Sequence, residues 1–236
     1  MSVDGTTIVV MGAGGAIGHE VCAALLDAGA KVIAFDRVAS RPPAGLVLHE
    51  CNGADLVSVQ TAFGDHLASE QVDGLVNVAG TFEIVDFVDS TPEHWQAMLE
   101  ANLLTAMTTC RALLPGFLER GAGSIVNFAS TAGEFGSIRP SAAYAAAKGG
   151  VIAFSKSLAR EVSPRGVRVN VVSPGPVQTE MLQAGSEAAH AEAVGRTLLG
   201  RLGTPADIAS AVVYLVGSQA SWVTGEVLRV NGGSLI

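Results

Sequence analysis

An apolar run leads directly into a glycine-rich turn in the stretch Ile8-Val9-Val10-Met11-Gly12-Ala13-Gly14-Gly15-Ala16-Ile17-Gly18. A helical pattern follows from His19 to Ala28, and Gly29 ends it. A strand, a glycine turn and a helix in this order are typical of dinucleotide binding, because glycines let the backbone approach a pyrophosphate and the first helical amides bind it. A simple tight turn explains the glycines alone, so it is the order of the three elements that favours a dinucleotide site.

An acidic residue follows at the offset that such a site requires. The second predicted strand closes on Asp36, 18 residues after Gly18, where a carboxylate can accept hydrogen bonds from the adenosine ribose hydroxyls. A 2'-phosphate about 5 Å from that carboxylate would be repelled by roughly 3 to 6 kcal/mol before screening. We therefore predict NAD rather than NADP, with Arg37 as the residue that can pair with a phosphate instead. A solvated loop position is the alternative for Asp36.

Apolar runs of strand length alternate with helical patterns along the whole chain. This alternation predicts an α/β fold of the doubly wound Rossmann type, a parallel sheet flanked by helices on both faces. Seven strands are predicted at about residues 7–11, 31–35, 46–49, 74–78, 124–128, 168–172 and 227–230. The clearest helix begins at the cap Thr91, with Pro92 in its first turn, and is expected to end near Leu114, before Pro115. No linker or repeat divides the chain, so we expect one domain over residues 1–236.

Composition narrows the possible partners. The net charge is -8 and no block of Lys or Arg occurs, which disfavours nucleic acid and anionic membranes. Charged residues make up only 15% of the chain and the mean hydropathy is +0.41, which predicts apolar surface buried between subunits of a homo-oligomer. Cys22, Cys51 and Cys110 show no metal-type spacing, and neither a signal peptide nor a membrane span is visible. We expect a cytoplasmic protein with reduced cysteines.

A tyrosine and a lysine stand four residues apart in the stretch Tyr144-Ala145-Ala146-Ala147-Lys148, so on a helix they share one face. A free phenol has a pKa of about 10, a handicap of about 4 kcal/mol for base catalysis at pH 7. An ammonium at about 5 Å returns roughly 3 kcal/mol in an effective dielectric near 20. The pair can therefore exchange protons near neutral pH, although the same spacing also arises on helices by chance.

These motifs stand in the order found in the classical short-chain dehydrogenase/reductase family, which the chain resembles over essentially its whole length. The family's first turn, Thr-Gly-x-x-x-Gly-x-Gly, falls on residues 11–18, with Met11 in place of the threonine and Ala16 in place of the middle glycine. The resemblance places the methyl group of Ala16 near the pyrophosphate, where Gly14 and Gly15 give the loop room to shift.

Other segments resemble the family's cofactor contacts. Asn52 stands where the family has an adenine-binding aspartate, and Asn77-Val78-Ala79-Gly80 is similar to its Asn-Asn-Ala-Gly, for which packing is an equally good account. In Asn170-Val171-Val172-Ser173-Pro174-Gly175-Pro176-Val177-Gln178-Thr179 the resemblance assigns the nicotinamide carboxamide to the backbone of Val177 and the hydroxyl of Thr179, while a plain turn is the alternative. The candidate cofactor residues are Gly12, Gly14, Ala16, Ile17, Gly18, Asp36, Arg37, Asn52, Asn77, Ala79, Gly80, Tyr144, Lys148, Pro174, Gly175, Val177 and Thr179.

The resemblance implies four catalytic residues and no metal. Tyr144 exchanges a proton with the substrate oxygen, and Ser130 polarises that oxygen. Lys148 lowers the tyrosine pKa and holds the nicotinamide ribose, and Asn102 positions a water behind it. A buried structural amide is the alternative for Asn102. Thr131 is the rival of Ser130, because the step of 14 residues from Ser130 to Tyr144 is one longer than the family's commonest spacing.

The implied reaction is hydride transfer between NAD(H) and a secondary alcohol or ketone. We expect the substrate between residues 82–85, residues 134–138 and a flap at about 180–199, with Phe135, Met181 and Leu182 as apolar wall. No Lys or Arg occurs from residue 175 to residue 195, which predicts a neutral or apolar substrate. An NADPH-dependent 3-oxoacyl carrier-protein reductase is the alternative activity, and a non-catalytic dinucleotide-binding sensor or a structural subunit is an alternative of another class. The resemblance also implies a tetramer, or else a dimer.

Overall fold

Parallel strands build the centre of the protein. Within residues 3–38, 42–43, 45–179 and 187–234, which the structure describes, the computed structural model contains one seven-stranded sheet in the order β3-β2-β1-β4-β5-β6-β7. The strands are Thr7–Met11 (β1), Lys31–Asp36 (β2), Leu48–Glu50 (β3), Gly74–Asn77 (β4), Gly123–Phe128 (β5), Val167–Pro174 (β6) and Val227–Val230 (β7). The predicted bounds of β1 and β7 are confirmed, and those of the other strands lie within two residues of the observed ones.

Helices cover both faces of the sheet. They are Ala16–Asp27 (α1), Leu56–Leu67 (α2), Pro92–Leu99 (α3), Thr105–Arg120 (α4), Thr131–Phe135 (α5), Ala142–Val162 (α6), Glu187–Gly195 (α7) and Pro205–Val216 (α8). No helix in the described part of the chain is long and apolar enough to cross a membrane. Of the residues that the sequence analysis assigned to a flap at about 180–199, residues 180–186 lie outside the described part.

Strand β1 shows why the sheet needs cover on both sides. Ile8 and Val10 pack on the face covered by α1 and α8, whereas Val9 and Met11 pack on the opposite face. All four side chains are at most 2% exposed, so this strand has no polar face. The alternation along the chain of β1 is therefore between two hydrophobic cores.

The strand order reverses direction between β1 and β4. The chain proceeds from β1 outward to β3, then returns to pair β4 against the other side of β1. In a doubly wound sheet the carboxyl ends of the strands open into a crevice at this reversal, and ligands bind there. The topology therefore places the glycine turn after β1 at the mouth of that crevice.

The helix predicted from Thr91 to Leu114 is interrupted and then continues further than expected. Thr91 caps α3 as predicted, since its Oγ1 accepts a hydrogen bond from the amide of His94 at 3.3 Å. A π-helical turn at Glu100–Leu104 then separates α3 from α4. The predicted end before Pro115 is wrong, because α4 runs through that proline to Arg120. The extra turns bury Phe117 to 1% exposure, a gain of about 1.5 to 3 kcal/mol that offsets the cost of a proline in the helix.

The turn after β1 offers a test of the fold. Gly12 has a φ of +92°, and a Cβ there would lie 2.3 Å from the amide nitrogen of Ala79. We expect Gly12→Ala to lower the free energy of unfolding by about 2 kcal/mol or more, because it adds backbone strain to a clash between β1 and β4. Chemical denaturation without cofactor measures this.

Gly15→Ala is the matched control in the same loop. A Cβ on Gly15 would meet nothing closer than 3.7 Å, and its φ of -81° suits alanine. This variant should stay within about 0.5 kcal/mol of wild type. Equal losses in the two variants would contradict a specific close approach at Gly12.

Candidate active site

A cleft of about 1030 Å³ opens at the carboxyl ends of the strands. It is lined by every site residue predicted from the sequence except Asn77. The glycine turn, the acidic residue after β2, the tyrosine–lysine pair and the segment after β6 therefore meet in one place, although they are far apart in the chain.

The first turn of α1 presents its backbone amides to the cleft. Gly15 precedes the helix and provides no side-chain cap, so the first amides lack a side-chain acceptor. Gly18 permits close packing, since a Cβ there would lie 2.1 Å from the carbonyl oxygen of Gly12. Ala16 is accommodated as the first helical residue, and no residue other than glycine has a positive φ in the described chain. The turn is thus shaped for an anion such as a pyrophosphate.

The carboxylate of Asp36 is held in place by backbone amides. Its Oδ2 accepts a hydrogen bond from Gly14 at 2.8 Å, and its Oδ1 accepts one from Arg37 at 2.7 Å. The loop packs against it, because a Cβ on Gly14 would lie 3.0 Å from Oδ2. Each oxygen keeps a lone pair for a hydroxyl donor, and the group has little freedom to swing away from the cleft.

Asn77 does not join the cofactor candidates. It is 3% exposed, its Nδ2 donates to Asn127 Oδ1 at 2.9 Å, and its Oδ1 accepts from Thr109 at 2.8 Å. The Nδ2 of Asn127 in turn donates to Ser155 on α6 at 2.9 Å. The polar groups of this side chain are used within the core, where they hold β4, β5, α4 and α6 together, and this arrangement fits the packing alternative.

Lys148 is buried beside the end of β5. Its side chain lies on α6 at 4% exposure, and Nζ donates to the carbonyl oxygen of Phe128 at 2.9 Å. Burial lowers the pKa of Lys148 to about 8, because the charged form is poorly solvated there.

Asn102 presents an unpaired oxygen toward the same place. It lies in the π-helical turn at 2% exposure, and its Nδ2 donates to the carbonyl oxygens of Thr81 at 2.9 Å and Met98 at 3.0 Å. Its Oδ1 is buried and has no hydrogen-bond partner within the described part of the chain. A Cβ on Gly80 would lie 2.5 Å from that oxygen and 3.1 Å from Nζ of Lys148, so both polar groups lie close to the bare backbone of Gly80, and all three residues line the cleft. A water or a ligand hydroxyl in the cleft can meet the unpaired oxygen there.

Ser130 and Tyr144 form the hydrogen-bonded pair of the site. Ser130 follows β5 and caps α5, with Oγ accepting from the amide of Ala132 at 3.2 Å. Its hydroxyl is hydrogen-bonded to Tyr144, whereas its rival Thr131 is the first residue of α5. This contact favours Ser130 over Thr131.

The pKa of Tyr144 moves in the direction opposite to the prediction. Burial raises it, and the hydrogen bond with Ser130 only partly opposes that rise. The lysine lies with Nζ 5.8 Å from the phenol ring centroid. The expected lowering of the Tyr144 pKa by Lys148 is missing, because burial favours the neutral form of both side chains. In the free protein the phenol is therefore protonated at neutral pH.

The segment after β6 is tied down on two sides. The amide of Gly175 donates to Val230 at 3.1 Å, and the amide of Gln178 donates to Gly203 at 2.8 Å. Val177 is buried, so it can offer only its backbone to the cleft. Pro174, Gly175, Val177 and Thr179 all line the cleft, as predicted.

The expected substrate wall is only partly correct. Phe82 and Ile138 line the cleft, and Phe82 meets the ring of Tyr144 edge-on at 5.0 Å between centroids. Phe135 does not line it. This side chain is 53% exposed and lies under the guanidinium of Arg229, since its position on α5 turns it to the surface. Met181 and Leu182 lie outside the described residues.

Two arginines at the cleft were missed from the sequence. Arg139 and Arg196 both line it, one residue beyond the predicted wall at 134–138 and one beyond the stretch 175–195 that contains no Lys or Arg. The carbonyl groups of Thr81 and Phe128 were missed as well, because backbone acceptors leave no residue-type signal. Among the described residues, no three His, Cys, Asp or Glu side chains are grouped to hold a metal ion.

Comparison with known proteins identifies the family. The family model described as Enoyl-(Acyl carrier protein) reductase matches residues 12–234. The chain belongs to the short-chain dehydrogenase/reductase family. It is 37% identical over 243 residues to the 3-oxoacyl-[acyl-carrier-protein] reductase FabG of Vibrio cholerae, a match that covers 99% of this chain and 98% of that protein.

Two solved structures resemble the fold closely. The crystal structure of gox2181 has a TM-score of 0.94 at 30% identity and covers 98% of this chain and 96% of its own. A structure from Beutenbergia cavernae that holds NADP at low occupancy has a TM-score of 0.91 at 33% identity and covers 99% and 98%. As a family member, this short-chain dehydrogenase/reductase is an oxidoreductase of hydroxyl and keto groups with a nicotinamide dinucleotide cofactor. The uncapped helix amides, the fixed carboxylate of Asp36 and the buried Oδ1 of Asn102, which has no partner among the described residues, fit that cofactor.

The buried lysine predicts a measurable effect on stability. The pKa of Lys148 in the folded protein is about 8, below the ordinary lysine value of 10.5. Between these two pKa values the unfolded chain binds a proton that the folded chain does not, so Lys148 makes the free energy of unfolding rise with pH. Below about pH 8 the buried lysine is charged and destabilises the folded protein by the full amount. We expect Lys148→Met to stabilise the cofactor-free protein at pH 7 by about 1 to 3 kcal/mol, net of the lost hydrogen bond.

The pH dependence and a control variant distinguish the removal of a buried charge from a general gain in stability on replacing lysine by methionine. The gain should shrink between pH 8 and pH 10 in denaturation series. Lys156→Met changes an exposed lysine of the same helix and should leave stability within about 0.5 kcal/mol of wild type at each pH. A Lys148→Met protein less stable than wild type at pH 7 would contradict the lowered pKa.

Proposed function

We propose that this enzyme interconverts a secondary alcohol and a ketone with NAD(H), using Tyr144 as the acid and base. The observation that carries the proposal is the meeting of the Ser130–Tyr144 hydrogen bond with Nζ of Lys148 and the unpaired Oδ1 of Asn102 in one cleft. A binding protein has no use for this proton-handling set. We further propose that residues 1–236 act as a single catalytic domain, with the segment at about 180–199 as a flap.

The side chains divide the work of the reaction. The bound nicotinamide supplies the hydride in reduction and accepts it in oxidation. Ser130 donates a hydrogen bond to the substrate oxygen, and the protonated phenol of Tyr144 donates the proton that this oxygen gains in reduction. The raised pKa of Tyr144 favours this direction at neutral pH. Oxidation requires the phenolate, so its rate should increase toward alkaline pH.

Proton supply to Tyr144 would come from the part of the cleft beside Gly80, Asn102 and Lys148. We propose that a water there accepts a hydrogen bond from Lys148 Nζ and donates one to Asn102 Oδ1, which meets the need of both buried groups. Lys148, with a pKa of about 8, can release and regain a proton near neutral pH.

The preference for NAD rests on Asp36. Its two backbone hydrogen bonds hold the carboxylate in the cleft, and a 2'-phosphate bound beside it would be repelled by the like charge. Arg37 lines the cleft beside it and supports the opposite preference, as does the related structure with NADP. We propose NAD because the carboxylate of Asp36 is held by the loop. The side chain of Arg37 is exposed, and it would lose conformational entropy on binding a phosphate.

Removal of this carboxylate tests the preference. In calorimetric titrations we expect wild type to bind NADH at least tenfold more tightly than NADPH. Asp36→Ala should abolish that preference, mainly by tighter NADPH binding. Glu50→Ala is the control, because Glu50 pairs with Asp36 in the adjacent strand register and is exposed but does not line the cleft. Tighter NADPH binding by wild type would show that Arg37 dominates.

The alternative activity is an NADPH-dependent 3-oxoacyl carrier-protein reductase. The Vibrio relative bears that name, and the reacting ends of a 3-oxoacyl thioester and a simple ketone are alike. The apolar walls at Phe82, Ile84 and Ile138 support a neutral, apolar group beside the reacting carbon in either case. Much faster turnover of acyl thioesters with NADPH than of simple ketones with NADH would favour the alternative. A non-catalytic sensor, or a structural subunit, predicts no turnover of either.

Assembly and location are also proposals. Trp222 is 99% exposed and Val88 is 88% exposed in the single chain, which supports burial in a homo-oligomer, a tetramer first and a dimer second. Cys22, Cys51 and Cys110 are free and buried, which supports a reducing, cytoplasmic location.

Loss of the phenol hydroxyl tests the mechanism. We expect Tyr144→Phe to reduce kcat for ketone reduction by at least a thousandfold, because the substrate oxygen loses its proton donor, while NADH affinity changes less than threefold. Tyr214→Phe alters the chain's second tyrosine, on α8, and should match wild type. Comparable kcat values for Tyr144→Phe and wild type would contradict the assignment of Tyr144 as the proton donor.

A further inference from the structure

One carboxylate stands between two arginines at the edge of the cleft. Glu192 on α7 has Oε1 3.0 Å from Nη1 of Arg196 and Oε2 3.9 Å from Nη2 of Arg139. The arginines come from different segments, the loop before α6 and the residue directly after α7. Both arginines line the cleft, whereas Glu192 does not. The carboxylate of Glu192 therefore pairs with both guanidinium groups without lining the cleft itself.

The charges do not cancel on the side that faces the cleft. Two guanidinium groups share one carboxylate, which leaves one positive charge in excess. Their side chains are 41% and 31% exposed, so they retain free donors that a ligand can reach. Of the cleft-lining residues on the same two segments, Ser137, Ile138 and Ala189 are uncharged, and Glu100, in the π-helical turn, is the acidic lining residue besides Asp36. Asp36 and Arg37 belong to the end of the cleft at β2 and do not offset this charge.

A second polar group is free at the same end. The Oγ of Ser234 is buried without a hydrogen-bond partner among the described residues, and Ser234 lines the cleft with the two arginines. A buried hydroxyl without a partner costs free energy unless a ligand or water meets it. Two guanidinium groups and a hydroxyl form a donor set that matches the oxygens of a carboxylate or a phosphate.

We propose that the substrate carries an anionic group, a carboxylate or a phosphate, at the end away from its carbonyl, and that Arg139 and Arg196 bind it. This inference rests on the proposed function and adds the substrate class. It replaces the expectation of a wholly uncharged substrate, while the group beside the reacting carbon stays neutral and apolar. Glu192 acts as a positioning residue, because it sets the spacing of the two guanidinium groups without touching the ligand.

Matched ketones test the proposal in steady-state reduction with NADH. The probes are 5-oxohexanoate, its methyl ester and 4-oxopentyl phosphate. We expect wild type to reduce at least one of the two anions with a kcat/KM at least tenfold above that of the ester, and the better anion identifies carboxylate or phosphate as the source. Arg139→Gln and Arg196→Gln should each raise KM for that anion at least fivefold, with kcat and the ester kinetics changed less than twofold.

Glu192→Gln distinguishes an anion site from a simple latch between α7 and the loop before α6. Removal of the carboxylate leaves both guanidinium groups unneutralised, so KM for the anion should fall. A latch predicts instead that KM rises for the anion and the ester alike, and that result would overturn the proposal. Arg160→Gln, an exposed position on α6, is the control for loss of one positive charge and should leave all kinetics unchanged.

A binding measurement keeps this inference separable from the proposed function. Calorimetry of the protein–NADH complex with hexanoate and with pentyl phosphate should show binding of at least one of these anions that hexanamide lacks and that both arginine variants lose. Ester turnover, together with binding of neither anion more tightly than hexanamide, would overturn the anion site alone. Anion binding of the expected pattern, with no ketone reduced by wild type, would overturn the reductase activity alone.

Discussion

The buried ammonium of Lys148 is the interaction on which the rest of the site depends. An ammonium without a partner is costly in the interior, and this one lies 2.9 Å from the carbonyl oxygen of Phe128. The space around it exists because two neighbours have no side chain. A Cβ on Gly80 would lie 3.1 Å from Nζ, and a Cβ on Gly133 would lie 2.5 Å from the carbonyl carbon of Lys148. Backbone therefore packs directly on α6, and this close approach brings Ser130 to Tyr144.

A second hydrogen-bond network, in the core, fixes the position of α6 relative to the sheet. Asn77, Asn127 and Ser155 connect β4, β5 and α6 through hydrogen bonds of 2.9 Å. These bonds lie beneath the cleft in the core, where a buried polar group that loses its partner costs about 1 to 3 kcal/mol. The network thus resists sliding of α6 along β5, which would move Lys148 away from Phe128. Polar residues that never reach the cleft in this way support those that do.

Local patterns in the sequence were enough to predict the sheet, the turn and the helix that carries Tyr144. Each is encoded by periodicity or by glycine spacing over a short stretch, and the same holds for the Thr91 cap. The π-helical turn was not predictable, because no local pattern encodes it and its residue Asn102 is held by a hydrogen bond to the distant carbonyl of Thr81. The alternation of residues along β4 could not predict whether Asn77 faces the cleft or the core, since both faces of β4 are buried. The sign of the Tyr144 pKa shift depends on burial, which no spacing of two residues reveals.

Charge is distributed unevenly among the residues that line the cleft. At the centre, burial raises the pKa of Tyr144 and lowers that of Lys148, so both groups are driven toward their neutral forms and charge is disfavoured there. Asp36 at one end and Arg139 with Arg196 at the other remain partly exposed, where charge costs little. A carboxylate or guanidinium beside Tyr144 would shift the proton equilibrium that the reaction uses. We therefore expect charged groups of a ligand to be bound away from Tyr144.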